Sequence, residues 1–195
     1  MEKKIDRRIR KTEAQLRSGL ISLMKKKSIK DITVKELVEE VDINRSTFYL
    51  HYGDIYQMLA AFEKSLEDEI KQILAAYPLN APRDAESTYP FLTGMYEILD
   101  RERDFCNALM GPTGDPAFVQ SLETLVAETV IAQLSKLVAS TSAQVQYHYT
   151  FAMAGVLGMI RKWLSYDRSS QPSAAEMAKL TYSLVAANIK LAEEL

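Results

Sequence analysis

Thr33-Val34-Lys35-Glu36-Leu37-Val38-Glu39-Glu40-Val41-Asp42-Ile43-Asn44-Arg45-Ser46-Thr47-Phe48-Tyr49-Leu50-His51-Tyr52 is the stretch whose reading decides the fold. Thr33 is an N-cap type residue with Glu36 three positions later, a capping box that opens a short helix from Val34 to Val41. Asp42-Ile43 makes a tight turn, and Asn44 caps a second short helix running to about His51. Leu37, Val38, Val41, Ile43 and Phe48 supply the core of this pair. Arg45, Ser46, Thr47, Tyr49 and Leu50 then fall on or near the outward face of the second helix. Two short helices joined by a three-residue turn and packed on a longer one form a helix-turn-helix, a compact reader of the DNA major groove. An ordinary helical hairpin whose tyrosines are packing residues has the same spacing.

Working outward, the helical period continues in nearly every segment and no alternating strand pattern appears. Ile9, Leu16, Leu20, Leu23 and Met24 share one face of a helix from Asp6 to about Lys27. Gly53-Asp54 breaks the second short helix and caps a long one from Ile55 to about Tyr77. Its buried stripe is Met58, Leu59, Phe62, Leu66, Ile70, Ile73 and Leu74. After a Pro-bearing connector, helices are expected at about 86–99, 103–110, 116–139, 143–166 and 174–194. Gly111-Pro112-Thr113-Gly114-Asp115-Pro116 is the clearest loop, ending in an Asp cap with Pro at the first helical position. The expected fold is all-α with about nine helices. An N-terminal three-helix helix-turn-helix domain (1–53) precedes a larger helical domain (54–195), with helix 54–77 connecting them.

Composition narrows the function. The net charge of −2 decides nothing, but its distribution is uneven. Residues 1–52 carry 13 Lys and Arg against 8 Asp and Glu, a balance of +5, and the remainder carries 11 against 18, a balance of −7. A basic end on an acidic body suits a polyanion partner, although a lysine-rich solvated face gives the same count. The longest apolar run, Phe151 to Ile160, is about half the ~18 residues of a membrane span. The charged start, Glu2 to Lys11, does not resemble a signal peptide, so a cytoplasmic location without membrane association is expected. The single Cys106 excludes an internal disulfide and a Cys-rich metal site. No metal or cofactor is expected. Of two histidines, His51 lies in the second short helix and His148 has no sequence-local partner at metal or triad spacing. Gly111-Pro112-Thr113-Gly114 lacks the Lys-Ser/Thr of a phosphate-binding loop. An enzyme is therefore not expected.

Thr33-Val34-Lys35-Glu36-Leu37, followed by Val41-Asp42-Ile43-Asn44-Arg45-Ser46-Thr47-Phe48-Tyr49-Leu50-His51-Tyr52, resembles the DNA-binding signature of the TetR family of bacterial regulators. The similarity is dense over residues 7–62, and Thr47-Phe48-Tyr49-x-His51-Tyr52 is its specific part. The resemblance implies an all-helical homodimer that binds a palindromic double-stranded operator, commonly as a repressor, and is usually controlled by a small-molecule inducer. Base edges would be met by Arg45, Ser46, Thr47, Tyr49 and Leu50, and the cap residue Asn44 belongs to the same expected DNA-binding set. Arg suits a guanine edge, hydroxyls are adaptable, and an apolar tip suits a thymine methyl. Thr33, Lys35, Tyr49, His51 and Tyr52 suit phosphate oxygens, which set register without reading sequence. Two positions depart from the family pattern. Asp42 stands where the turn commonly has Gly, and Ile55 stands where the long helix commonly opens with a phosphate-reaching Lys. Tyr52, His51 and the amides at the start of that helix would have to compensate.

Similarity weakens after residue 77. Leu99-Asp100-Arg101-Glu102-Arg103-Asp104-Phe105, with Gly114-Asp115-Pro116-Ala117-Phe118, resembles the C-terminal domain of a subgroup that includes activators of dihydroxyacetone kinase genes, which transfers no ligand. In the last two helices, Ala152, Ala154, Gly155 and Gly158 and the stripe Met177, Leu180, Leu184, Ala187 and Leu191 are the expected dimer interface. Intrachain core is the alternative. Tyr89, Met95, Tyr96, Phe105, Met110, Phe118, Tyr147, Phe151 and Trp163 form an aromatic and Met-rich set that either lines an apolar inducer cavity or fills a core. The missing Lys keeps a second function in view: a regulator or co-activator controlled by a partner protein, with weak or no DNA binding of its own.

Overall fold

The computed structural model describes residues 2–76, 85–134 and 143–193. Among the described residues the regular elements are all helical: α1 (Glu2–Met24), a 3₁₀ turn (Ile29–Asp31), α2 (Val34–Glu40), α3 (Arg45–Tyr49), α4 (Ile55–Ala76), α5 (Ala85–Arg101), α6 (Arg103–Met110), α7 (Pro116–Leu134), α8 (Ala143–Ser165) and α9 (Ala174–Glu193). None of them is long and apolar enough to cross a membrane. The chain divides into two compact units. One comprises Met1–Leu66 with Ala108–Phe118, the other Glu67–Asn107 with Val119–Leu195.

In the first unit Leu16, Leu20, Leu23 and Met24 form the buried stripe of α1, meeting Ile32, Leu37, Val38, Phe48, Met58 and Leu59 in one core. Ile9, expected on that stripe, is exposed. Helices α1 and α2 approach so closely at Gly19 that a Cβ there would lie 2.3 Å from Val41 Cγ1, a stiff β-branched methyl. The turn after α2 is a Schellman stop. The Ile43 N–H donates to Val38 O (3.0 Å), the Asp42 N–H to Glu39 O (3.4 Å), and Asp42 adopts φ 53°. Asp tolerates that left-handed geometry better than most residues, which is why the turn holds without glycine.

Residues 108–118 are distant in sequence but complete this unit. The Thr113 Oγ1 hydroxyl donates to the Met24 carbonyl at 2.6 Å, where α1 runs out of intrahelical donors. Asp115 Oδ1 caps α7, accepting from the Ala117 and Phe118 amides at 2.9 and 3.1 Å. Within the same unit the Glu63 carboxyl has a buried Oε1 with no hydrogen-bond partner among the described residues. Burial, and then the negative Asp115, push its pKa up to about 7. An acid whose folded pKa exceeds its unfolded value binds more protons when folded, so stability falls as pH rises between about 4.5 and 7 and is level above. Glu63→Gln should flatten this part of the stability–pH curve and stabilise the protein at neutral pH. Urea midpoints at pH 5 and pH 7.5 that shift equally in variant and wild type would refute the assignment.

In the second unit α5 packs most extensively along α9, and α8 also packs against α9. Tyr96 and Thr181, both buried, share a hydroxyl hydrogen bond of 2.7 Å across that contact. The Trp163 ring meets Tyr96 edge-on with centroids 5.2 Å apart, and its indole N–H donates to Pro172 O at 2.8 Å. Arg103 is buried against this group. Its guanidinium lies 4.6 Å over the Trp163 ring and donates to Trp163 O (3.2 Å), Leu164 O (2.9 Å) and Tyr166 O (3.4 Å). It also forks onto Asp100 Oδ1 with two bonds of 3.1 Å. Asn107 adds a bond to Leu164 O (2.9 Å). Carbonyls at the end of α8, beyond the reach of a regular i+4 amide, are thus capped from α6. Helix α9 opens with a capping box, Ser173 with Glu176, whose Ser-x-x-Glu signal stands plainly in the sequence.

Candidate nucleic-acid interface

The geometry of α2 and α3 follows from their caps. Thr33 Oγ1 accepts from the Glu36 amide (3.2 Å), while Glu36 Oε2 accepts from the Thr33 amide (3.0 Å) and hydroxyl (2.8 Å). Lys27 also donates to Glu36. The Lys27 ammonium first, and the Thr33 donors after it, hold the Glu36 pKa down to about 2. Both donors of Thr33 are therefore committed to its own helix, so its role in this structure is to fix the start of α2. Asn44 Oδ1 accepts from the Ser46 amide and hydroxyl, each at 2.9 Å, and starts α3.

Phe48 is wholly buried, and this one anchor sets the rotation of α3. Its neighbours one turn around are outward: Arg45, Ser46 and Tyr49 are exposed, Thr47 is half-buried, and Leu50 is 84% exposed. Arg45 lies along the helix, with Nη2 and Nε donating to the Tyr49 hydroxyl at 2.9 and 3.3 Å. Lys35 projects from α2 within 3.9 Å of Glu39, on a well exposed side chain.

The expected phosphate group behaves differently. His51 and Tyr52 are half-buried. His51 Nδ1 lies 3.6 Å from Glu13 Oε1, and the Tyr52 ring packs among Phe48, Phe62 and His51. Burial, with the Glu13 charge, raises the Tyr52 pKa. Ile55 is a core residue. The amides at the start of α4, expected to compensate for it, are met by the protein's own groups: Asp54 Oδ1 takes the Gln57 amide (2.8 Å), and Gln57 Oε1 takes the Gly53 amide (3.2 Å). A carboxylate already sits where an external anion would approach. Tyr56, not singled out from the sequence, stands exposed in the first turn of α4.

Residues 86–186, just over half of the chain, match the TetR_C_8 family, described as transcriptional regulator C-terminal region. The chain belongs to the TetR family of transcriptional regulators. An HTH-type transcriptional regulator of Bacillus subtilis (strain 168), YxbF, is 22% identical over 169 residues. That alignment covers 83% of this chain but only 42% of the relative's length, so the chain spans about two fifths of that relative. Among solved structures, a TetR-family regulator from Streptomyces coelicolor is similar at a TM-score of 0.62 and 18% identity, covering 92% of this chain and 83% of that one. A TetR regulator from Streptococcus agalactiae 2603V gives 0.60 and 18%, covering 95% and 99%. The dihydroxyacetone kinase operon activator DhaS gives 0.56 and 15%, covering 92% and 97%. At these identities the structural likeness shows a shared fold.

The two groups of residues expected in the TetR-family body take the following places in the structure. Of the aromatic set, Tyr96, Phe105 and Trp163 are buried in the second unit, and Met95 is half-buried there. Met110 and Phe118 belong to the first unit. The side chain of Tyr89 lies outside the described residues. Tyr147 and Phe151 are 75% and 72% exposed, because α8 turns this stripe outward when Trp163 and Leu164 face the core. The described members of the set are thus divided between the two units, and two of them lie open to solvent. Of the expected dimer contacts, Met177 is buried within the protomer, where with Ala178 and Thr181 it forms the buried face of α9. Leu180 and Leu184 are about half exposed, at 49% and 53%, and Ala187 is exposed. Gly155 and Gly158 have nothing within 4 Å of an added Cβ, Ala154 is exposed, and Ala152 is half-buried. The Leu191 side chain lies outside the described residues.

Proposed function

We propose that this TetR-family regulator binds a palindromic double-stranded operator as a homodimer, with α3 of each subunit in the major groove. The observation that carries the reading is the split of α3. Phe48 is locked in the core, while Arg45, Ser46, Tyr49 and Leu50 stand in solvent with the donor and apolar chemistry that base edges require. Lys35 on α2 is placed for phosphate. Two heads related by a two-fold axis meet half-sites one helical turn or more apart.

Selection from random double-stranded DNA should recover an inverted repeat. No enrichment even at low salt would overturn the proposal. Arg45→Ala should cost roughly 1–3 kcal/mol at one position of each half-site and relax the preference there. A binding profile unchanged by that substitution would remove Arg45 as base reader.

The dimer reading rests on a continuous outward surface. Tyr147, Phe151, Ala154, Gly155 and Gly158 recur at helical spacing along α8, and Leu180, Leu184 and Ala187 along α9. Solvent-exposed aromatic and leucine side chains beside glycines suit close helix packing with a second copy. Leu184→Glu should yield a monomer in sedimentation without loss of helical signal. A variant that remains dimeric would place the interface elsewhere.

Control by a small apolar effector acts, in this reading, through unequal affinity for different spacings of the two heads. Ile55 in the core and the Asp54 carboxylate at the start of α4 favour a second reading, in which a partner protein controls a head of weak DNA affinity.

A further inference from the structure

The function assigned to α3 leaves one of its features unused: Arg45 is not a free side chain. Its Nη2 and Nε both donate to the Tyr49 hydroxyl, at 2.9 and 3.3 Å, and its guanidinium carbon lies 5.4 Å from the Tyr49 ring centroid. The Tyr49 ring itself rests against the core. It meets Phe48 edge-on at 5.4 Å with an interplanar angle of 83°, and Phe48 is wholly buried. A chain of contacts thus runs from the core through Tyr49 to the guanidinium.

The fork geometry of arginine decides what this leaves available. A guanidinium has five N–H donors, and two edges can each present a parallel pair. The side-on pair, from Nε and Nη2, is taken by Tyr49. The end-on pair, from Nη1 and the second hydrogen of Nη2, is not used by that contact and remains to meet the O6 and N7 acceptors of guanine in parallel. The Tyr49 oxygen acts as acceptor in both bonds, so its own proton stays with the phenol and can be donated elsewhere.

We propose that Tyr49 is the positioning residue for Arg45. It holds the guanidinium in a single presentation, end-on edge outward, and so makes this head select guanine at one position of each half-site. The inference rests on the DNA-binding reading and deepens it. A guanidinium ordered before the encounter loses less side-chain entropy on binding. It also discriminates better, because the alternative rotamers that would accept other bases are disfavoured.

The test is Tyr49→Phe, which removes the hydroxyl and keeps the ring against Phe48. In selections from random DNA, preference for guanine at the Arg45 position should fall roughly 3- to 10-fold, the worth of one or two net hydrogen bonds. Affinity for non-specific DNA is the reference for that fall: the loss at the guanine position should exceed any loss on non-specific DNA, and the salt slope should not change because no cation is removed. In an Arg45→Ala background, Tyr49→Phe should produce no further change at that position. An unchanged guanine preference in the single variant overturns the proposal. So does an equal loss on every sequence, which would make Tyr49 a direct phosphate contact. Wild-type protein that enriches no sequence fails the DNA-binding reading itself and is told apart by the unmutated control. A thermal midpoint of Tyr49→Phe equal to wild type excludes a merely structural effect.

Discussion

Arg103→Ala should destabilise the protein by roughly 3 kcal/mol and lower its thermal midpoint by about 6–12 °C. The figure sits at the low end for a broken buried ion pair because Asp100 is 39% exposed and keeps Arg168 Nε at 3.6 Å. The larger part of the cost falls on the end of α8. Trp163 O and Leu164 O would lose their bonds to Nη1, each worth about 0.5–1.5 kcal/mol net, while keeping a second donor in the Tyr166 amide and the Asn107 amide respectively. The face of Trp163 would also lose its cation. Arg103→Lys should recover only part of the loss, since an ammonium cannot reach the carbonyls and Asp100 with one planar fork. Urea denaturation decides the matter. A midpoint within error of wild type for Arg103→Ala would show that the clasp contributes nothing.

Gly114→Ala should cost at least about 2 kcal/mol, because the intruding methyl meets backbone and not a side chain that can move aside. The added Cβ would lie 1.9 Å from Leu109 O, 2.4 Å from Leu109 C and 2.6 Å from Ala108 O. Relief requires opening the loop, which breaks the bond from the Asp115 N–H to Leu109 O at 3.0 Å. Asp115 caps α7 and Thr113 holds the end of α1, so the change should loosen the first unit at two further places. Hydrogen exchange should report lower protection at the end of α1 and the start of α7. Protection unchanged at both sites, with unchanged stability, would show that the loop accommodates the methyl.

Most of the reading head was legible from sequence because its determinants are local. A capping box joins residues three apart, the Asn44 cap spans two, and the left-handed Asp42 follows from where α2 must stop. The spacing of Arg45 and Tyr49 was equally visible, yet their clasp was not read, because an (i, i+4) pair announces proximity without saying which groups bond. In the body, the segment around Arg103 carries a resemblance to a regulator subgroup but no local signal of the bonds it makes. Its hydrogen-bond partners lie some 60 residues away, and no local pattern points to them.

By itself, then, the sequence determined which segments are helical, where they start and stop, and which family the head resembles. Those outcomes depend on side chain to backbone bonds and on apolar periodicity within single helices. Only the tertiary structure decided how each helix is rotated about its axis. That rotation put Met177 inside and Leu180 and Leu184 outside on one helix, turned Tyr147 and Phe151 to solvent, and buried Ile55. A helix with apolar residues on more than one face can bury any of them. Packing against its neighbours, through contacts such as Tyr96 with Thr181 and Arg103 with the end of α8, selects the face that does.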